Sequence, residues 1–137
     1  MRSDTFAVYK DKEYRLVKKQ DGFFHLVSMN PDDAENGFIP YHEVFVKKVS
    51  RNEISHAYIV ETYCTYKGYR FFMMLEKDVA AYIHTSDGIL AKSLQMEMSE
   101  PFSYEKWVRL DELDSIWEER EPVYDLPFLT DPIKIIK

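Results

Sequence analysis

Carboxylates are the residues of this chain whose types and spacing come nearest to chemistry. They bunch as Asp32-Asp33-Glu35, Asp111-Glu112-Asp114 and Glu118-Glu119-Glu121. Two carboxylates with separated pKa values can act as general acid and base, but they need a cleft and unlike environments. Acids grouped in loops and at helix starts are ordinarily solvated. The stretch from Asp111 to Asp125 still stands apart, with seven acids against Arg120 alone. Trp107, Trp117 and Tyr124 are interleaved with it. Acid mixed with Trp and Tyr is the composition of a protein-binding face, where aromatic anchors supply energy and charge supplies steering. The candidate partner-binding residues are therefore Asp111, Glu112, Asp114, Trp117, Glu118, Glu119, Glu121 and Tyr124. Trp107 matches Phe45 in an earlier strand and can equally be core, so Trp117 is the expected surface tryptophan.

Other reaction chemistry is not signalled. His25, His42, His56 and His84 are far apart, with no HxxxH or CxxC spacing for a metal. Cys64, the single cysteine, falls inside an apolar strand, where a thiol is structural rather than nucleophilic. No serine has a GxSxG setting, and Gly22, Gly37, Gly68 and Gly88 never cluster into a phosphate loop. No catalytic residue, metal or cofactor is expected.

The elements that must position these residues are announced by an echo. "VYKDKEYRLVKK" (Val8 to Lys19) and "TYKGYRFFMM" (Thr65 to Met74) both begin Tyr-Lys, reach Tyr-Arg and run into an extended stretch. "VFVKKVSRNEIS" pairs in the same way with "KWVRLDELDS", with Ser50 or Asp111 as the cap of a short helical turn. Each copy reads strand, strand, variable connector, strand, helical turn. Asp21-Gly22 signals a tight turn; Glu76-Lys77-Asp78 signals a weaker one. The first connector, "MNPDDAENGFIPYHE", is a loop. In the second, a helix from about Asp87 to Met96 is preferred to a hairpin at Asp87-Gly88, because good helix formers dominate there. Between the copies, "HAYIVETYCTYK" places Tyr58, Val60, Thr62, Cys64 and Tyr66 on one strand face and leads through Lys67-Gly68 into a hairpin. The three prolines of "PVYDLPFLTDPIKIIK" favour a surface wrap over a central strand.

The expected fold is α+β and mainly β. Two related β-rich halves, SH3-like or small-sheet units, would pack as one domain over 1–137. The repeat would cover 6–55 and 63–117, and 118–137 would wrap.

Net charge is −6, and it is uneven. Residues 1–51 carry nine Lys/Arg against eight Asp/Glu, and residues 52–137 carry nine against sixteen. Direct nucleic-acid binding is not expected of such a chain, because it rests on cations neutralising phosphates. No apolar run reaches the roughly 18 to 20 residues of a membrane span. With no signal-type apolar segment and one cysteine, a cytoplasmic setting is expected.

The strings "YKDKEYRLVKKQDG", "NPDDAENGF", "VKKVSRNEI" and "YEKWVRLDELD" together resemble small acidic bacterial immunity proteins of toxin–immunity systems, over about Tyr9 to Glu121. The resemblance implies a cytosolic protein that covers a toxin's active site, and it transfers no functional residue. A basic toxin domain, such as a nuclease with a cationic cleft, would be the partner. The alternative is a regulatory or adaptor module of tandem SH3-like units that binds a peptide or protein.

Overall fold

The computed structural model describes the whole chain, Met1–Lys137. Twelve strands and one short helix follow in order: β1 (Asp4–Tyr9), β2 (Lys12–Lys18), β3 (Phe24–Ser28), β4 (Ile39–Tyr41), β5 (Val44–Val49), β6 (His56–Tyr66), β7 (Tyr69–Lys77), β8 (Ala80–Thr85), α1 (Gly88–Ser93), β9 (Glu97–Glu100), β10 (Ser103–Arg109), β11 (Leu113–Glu121) and β12 (Ile133–Ile135). The expectation of a mainly β chain with short helical turns holds. No helix is long and apolar enough to cross a membrane. The chain divides into two compact units, neither of them one continuous stretch. The first comprises Asp4–Val60 and Arg120–Asp131; the second comprises Met1–Ser3, Glu61–Glu119 and Pro132–Lys137.

In the first unit the strands lie in the order β4-β5-β3-β2-β1-β6, all antiparallel. The β1–β2 hairpin turns through Lys10 and Asp11, both at positive φ (48° and 64°). That twist suits a two-residue hairpin. Asp21 and Gly22 form the expected next turn: the Phe23 N–H donates to Asp21 Oδ1 at 2.9 Å, and Gly22 sits at φ 84°. The proline-rich connector folds into a 3₁₀ turn over Pro31–Asn36, whose Asp32 N–H is taken by Asn30 Oδ1 at 3.0 Å. Ser50 caps another such turn, with its N–H held by Glu53 at 2.9 Å, as its spacing predicts. Alternate residues Ala7 and Tyr9, Tyr14 and Leu16, Phe24 and Leu26 point one way and form the core with Phe38, Val49, Ile54 and Leu126.

In the second unit the order is β9-β10-β8-β7-β6-β11-β12. Lys67 and Gly68 (φ 50° and 83°) make the expected hairpin, with Tyr66 opposite Tyr69. The stretch after Asp87 is the preferred helix: the Asp87 carboxylate accepts the N–H groups of Ile89 and Leu90 at 3.0 and 3.1 Å, and α1 buries Ala91. Cys64, Tyr66, Phe71, Met73, Ala81, Ile83, Val108, Leu113 and Ile116 complete the core. The β6 alternation also falls as its sequence predicts, with Thr62, Cys64 and Tyr66 buried between more open neighbours. One cap differs. The turn over Leu110–Glu112 has Arg109 in the cap position, and Asp111 lies inside it. The turn thus starts two residues earlier, and the N–H of its first residue, Leu110, is taken by the Val79 carbonyl at 2.8 Å. The segment expected to wrap from 118 begins inside β11. Pro122, Pro127 and Pro132 all lie outside strands, and Trp117 faces Ile135 across the short β11–β12 ladder.

Candidate functional site

The sheet of the first unit carries apolar side chains on the face opposite its core as well. Opposite the core, alternate positions present Arg15 and Val17 on β2, His25 and Val27 on β3, Val44 and Val46 on β5, and Ile39 and Tyr41 on β4. Register sets them side by side: Arg15 faces Val27, Val27 faces Val46, and Val46 faces Ile39. Val17 faces His25, and Val44 faces Tyr41. A groove of about 380 Å³ opens there, lined by Arg15, Val17, Lys19, His25, Val27, Tyr41, Val44 and Val46. Its floor is valine, which packs well on a pleated surface. Its charged rim is wholly cationic. Asp4 pairs with Arg15 Nε at 2.8 Å from outside the lining. Tyr41 is 60% exposed and Ile39 67%. Sequence reading passed over this groove. Its signal was present in "LVKK", "HLVS" and "VFVKKV", strands with apolar residues at both parities, which a sheet solvated on one face does not require.

The eight residues singled out by composition do not form one patch. Asp111 and Glu112 share the exposed turn after β10, and Asp114 follows at the start of β11, also exposed. Asp111 pairs with Arg109 Nη2 at 2.6 Å, and Glu112 accepts the Arg109 N–H at 3.2 Å. Along β11 the period of two separates the next acids. Glu118 turns inward and is buried, with Arg2 Nε at 2.9 Å. Trp117 and Glu119 turn to the other face, where Trp117 Nε1 donates to Glu119 Oε2 at 2.9 Å. Arg70 also donates to Glu119, at 3.0 Å, and this contact raises the guanidinium pKa. Arg70 lies 3.9 Å over the Tyr63 ring, on which Trp117 stacks at 6.3 Å. Burial, together with Glu61, pushes the Tyr63 hydroxyl up to about 12. Trp117 is therefore half-buried. The tryptophan open to solvent is Trp107, 47% exposed and tilted against Tyr82 at 4.9 Å. Glu121 and Tyr124 belong to the first unit, where both are exposed; the Tyr124 ring lies 5.8 Å from Phe24 with Lys18 above it.

A second polar cluster joins β8 and β10. His84 Nδ1 lies 3.3 Å from Glu105 Oε1, which accepts Ser103 Oγ at 2.7 Å. The Ser99 and Ser103 hydroxyls and the imidazole hold the buried Glu105 carboxyl below the usual range. His84 is thus a hydrogen-bonded strand residue. No three His, Cys, Asp or Glu side chains converge as a metal site.

Cys64 is fully buried, and desolvation pushes its thiol up to about 11. At pH 8 almost none of it is thiolate, and thiolate is the reactive form. Native protein is expected to leave a disulfide reagent unconsumed over minutes and to consume one equivalent once unfolded in guanidinium. Prompt stoichiometric reaction of the native chain would contradict the burial.

These features define a small strand-dominated protein with a valine-floored, cation-rimmed groove on one sheet face. The chain belongs to the family described as Uncharacterised conserved protein UCP033725, which matches residues 1–124. Comparison with curated proteins and with solved structures gives no match.

Proposed function

We propose that this chain is a non-enzymatic protein-binding protein whose first unit receives part of a partner in the groove between β2, β3, β5 and β4. The groove itself carries the reading. Valines at four neighbouring positions on the face away from the core are an apolar surface that folding of the unit leaves open, and such surfaces mark contact sites. The cytoplasmic setting rests on the single buried cysteine.

The order of elements supports a further part of the reading, that the two units are related SH3-like halves. The first unit runs β1, β2, β3, 3₁₀ turn, β4, β5, 3₁₀ turn and then into β6. From β6 onward the chain runs β7, β8, α1, β9, β10, 3₁₀ turn and then into β11. The strand orders β4-β5-β3-β2-β1-β6 and β9-β10-β8-β7-β6-β11 correspond one to one.

A second reading is neutralisation of a basic toxin domain. It is favoured by the exposure of Asp111, Glu112 and Asp114 in one turn. Glu118 is committed to Arg2 and Glu119 to Arg70, so steering by this stretch would fall to those three residues.

The test is capture of partners on immobilised chain at low and high salt, repeated with Tyr41→Ala and with Asp111, Glu112 and Asp114 changed to the amides. One stoichiometric partner lost with Tyr41→Ala is the expected result. A partner retained by Tyr41→Ala but lost with the triple amide, and at high salt, would replace the groove reading with the toxin reading.

A further inference from the structure

We infer that the groove takes an extended segment of another protein in which aliphatic side chains are flanked by carboxylates. This rests on the reading of the groove as a docking site. The floor of Val17, Val27, Val44 and Val46 offers no hydrogen-bonding group, so what enters it must be apolar. At about 380 Å³ it lies near the small end of the roughly 300–1,000 Å³ usual for ligand sites, which suits a few side chains rather than a folded surface.

The rim decides the rest. Arg15, Lys19 and His25 are its charged or chargeable groups, and no carboxylate lines it. Lys48 stands opposite His25 in the β3–β5 ladder and adds a further cation, with its Nζ 3.7 Å over the Phe23 ring. Asp4 answers only Arg15. A segment with acidic flanks would meet opposite charge on entering and would be steered there, whereas a basic segment would be repelled.

The edge of the sheet excludes one mode of binding. β4 is three residues long with Pro40 at its centre, and proline has no N–H to give a ladder. The segment therefore lies across the valine face rather than adding a strand to β4. An extended segment with aliphatic side chains turned to the valines and acids at its flanks would satisfy both floor and rim.

The experiment uses the full chain and two fluorescent nine-residue peptides that share a Leu-Ile-Leu core. One is flanked by three glutamates on each side and the other by three lysines. At low salt the glutamate peptide is expected to bind about tenfold or more tighter than the lysine peptide, and to weaken several-fold as the Debye length shrinks at higher salt. Lys19→Glu should cut its affinity about fivefold and narrow the gap between the peptides. Tyr41→Ala should weaken both peptides alike; both substitutions are at exposed positions, so folding is preserved. Equal binding of the two peptides, sensitive to Tyr41→Ala, would overturn the acidic specificity and leave the docking site standing. No binding of either peptide, with a captured partner indifferent to Tyr41→Ala, would overturn the docking site as well. Tighter binding of a single-stranded oligothymidine than of the glutamate peptide would overturn the assignment to a protein segment.

Discussion

Arg2→Met is expected to destabilise the second unit by about 3 kcal/mol, read as a lower urea midpoint at unchanged slope. Arg2 reaches Glu118 with a forked contact, Nε to Oε2 at 2.9 Å and Nη2 to Oε1 at 3.0 Å. Such paired charge-assisted bonds are the strong kind. The Glu118 side chain is 5% exposed and that of Arg2 is 30% exposed. Removing the arginine strips a buried carboxylate of its forked cation, and breaking a buried pair in this way costs about 3–5 kcal/mol. The low end applies because Arg2 is partly open to water. Glu118→Leu added to Arg2→Met should recover most of the loss, since an apolar pair of similar volume often replaces a buried ion pair at little net cost. Single variants within about 0.5 kcal/mol of the parent would show that the pair does not hold the unit together.

Asp33→Ala should cost the first unit about 3 kcal/mol. Asp33 is buried, and it accepts from Ser28 Oγ at 2.5 Å, Asn36 Nδ2 at 3.1 Å and Tyr14 Oη at 3.2 Å. Each donor that loses its acceptor forfeits about 1 kcal/mol. The Ser28 hydrogen bond outweighs desolvation and lowers the Asp33 pKa. A carboxyl with a lower pKa folded than unfolded adds stability that is complete above the unfolded value of about 3.9, and that is lost as pH falls through the folded value. The parent should therefore lose more stability as pH falls below about 4 than Asp33→Asn, which has no proton to take up there. Parallel pH profiles for the two would remove Asp33 from the account of acid sensitivity.

These two anchors were out of reach of the sequence for different reasons. Arg2 and Glu118 are 116 residues apart, and nothing local in "MRSD" or "IWEERE" announces a partner. Asp33 looks like any loop acid in "NPDDAENG"; its burial follows only from the way the 3₁₀ turn folds back onto Ser28 and Tyr14. The hairpin at Lys67-Gly68, the Ser50 cap, the helix after Asp87 and the two faces of β6 were legible because each is set by residues within a few positions. Trp107 and Trp117 were harder. Both occupy strands of similar pattern, and which ring is covered depends on the neighbour across the ladder, Tyr82 for one and Tyr63 for the other. The acidic stretch failed as a single patch for a simple reason. Composition counts neighbours along the chain, whereas a strand sends Glu118 and Glu119 to opposite faces.

The interleaving of the units has a consequence for how the chain is made. The first unit is left unfinished at Val60, because its core includes Leu126 and the Ala57 N–H is taken by the Pro127 carbonyl at 2.9 Å. The second unit likewise waits for Lys137, whose carbonyl takes the Ile116 N–H at 3.2 Å. Translation adds about 5–20 residues per second, so the first half of the chain must stay without its closing segment for several seconds. During that interval the core of the first unit lacks Leu126 on the ribosome. A nascent chain of this design depends on the stretch Arg120–Lys137 to complete its two units, and termination between Val60 and Arg120 would leave neither complete.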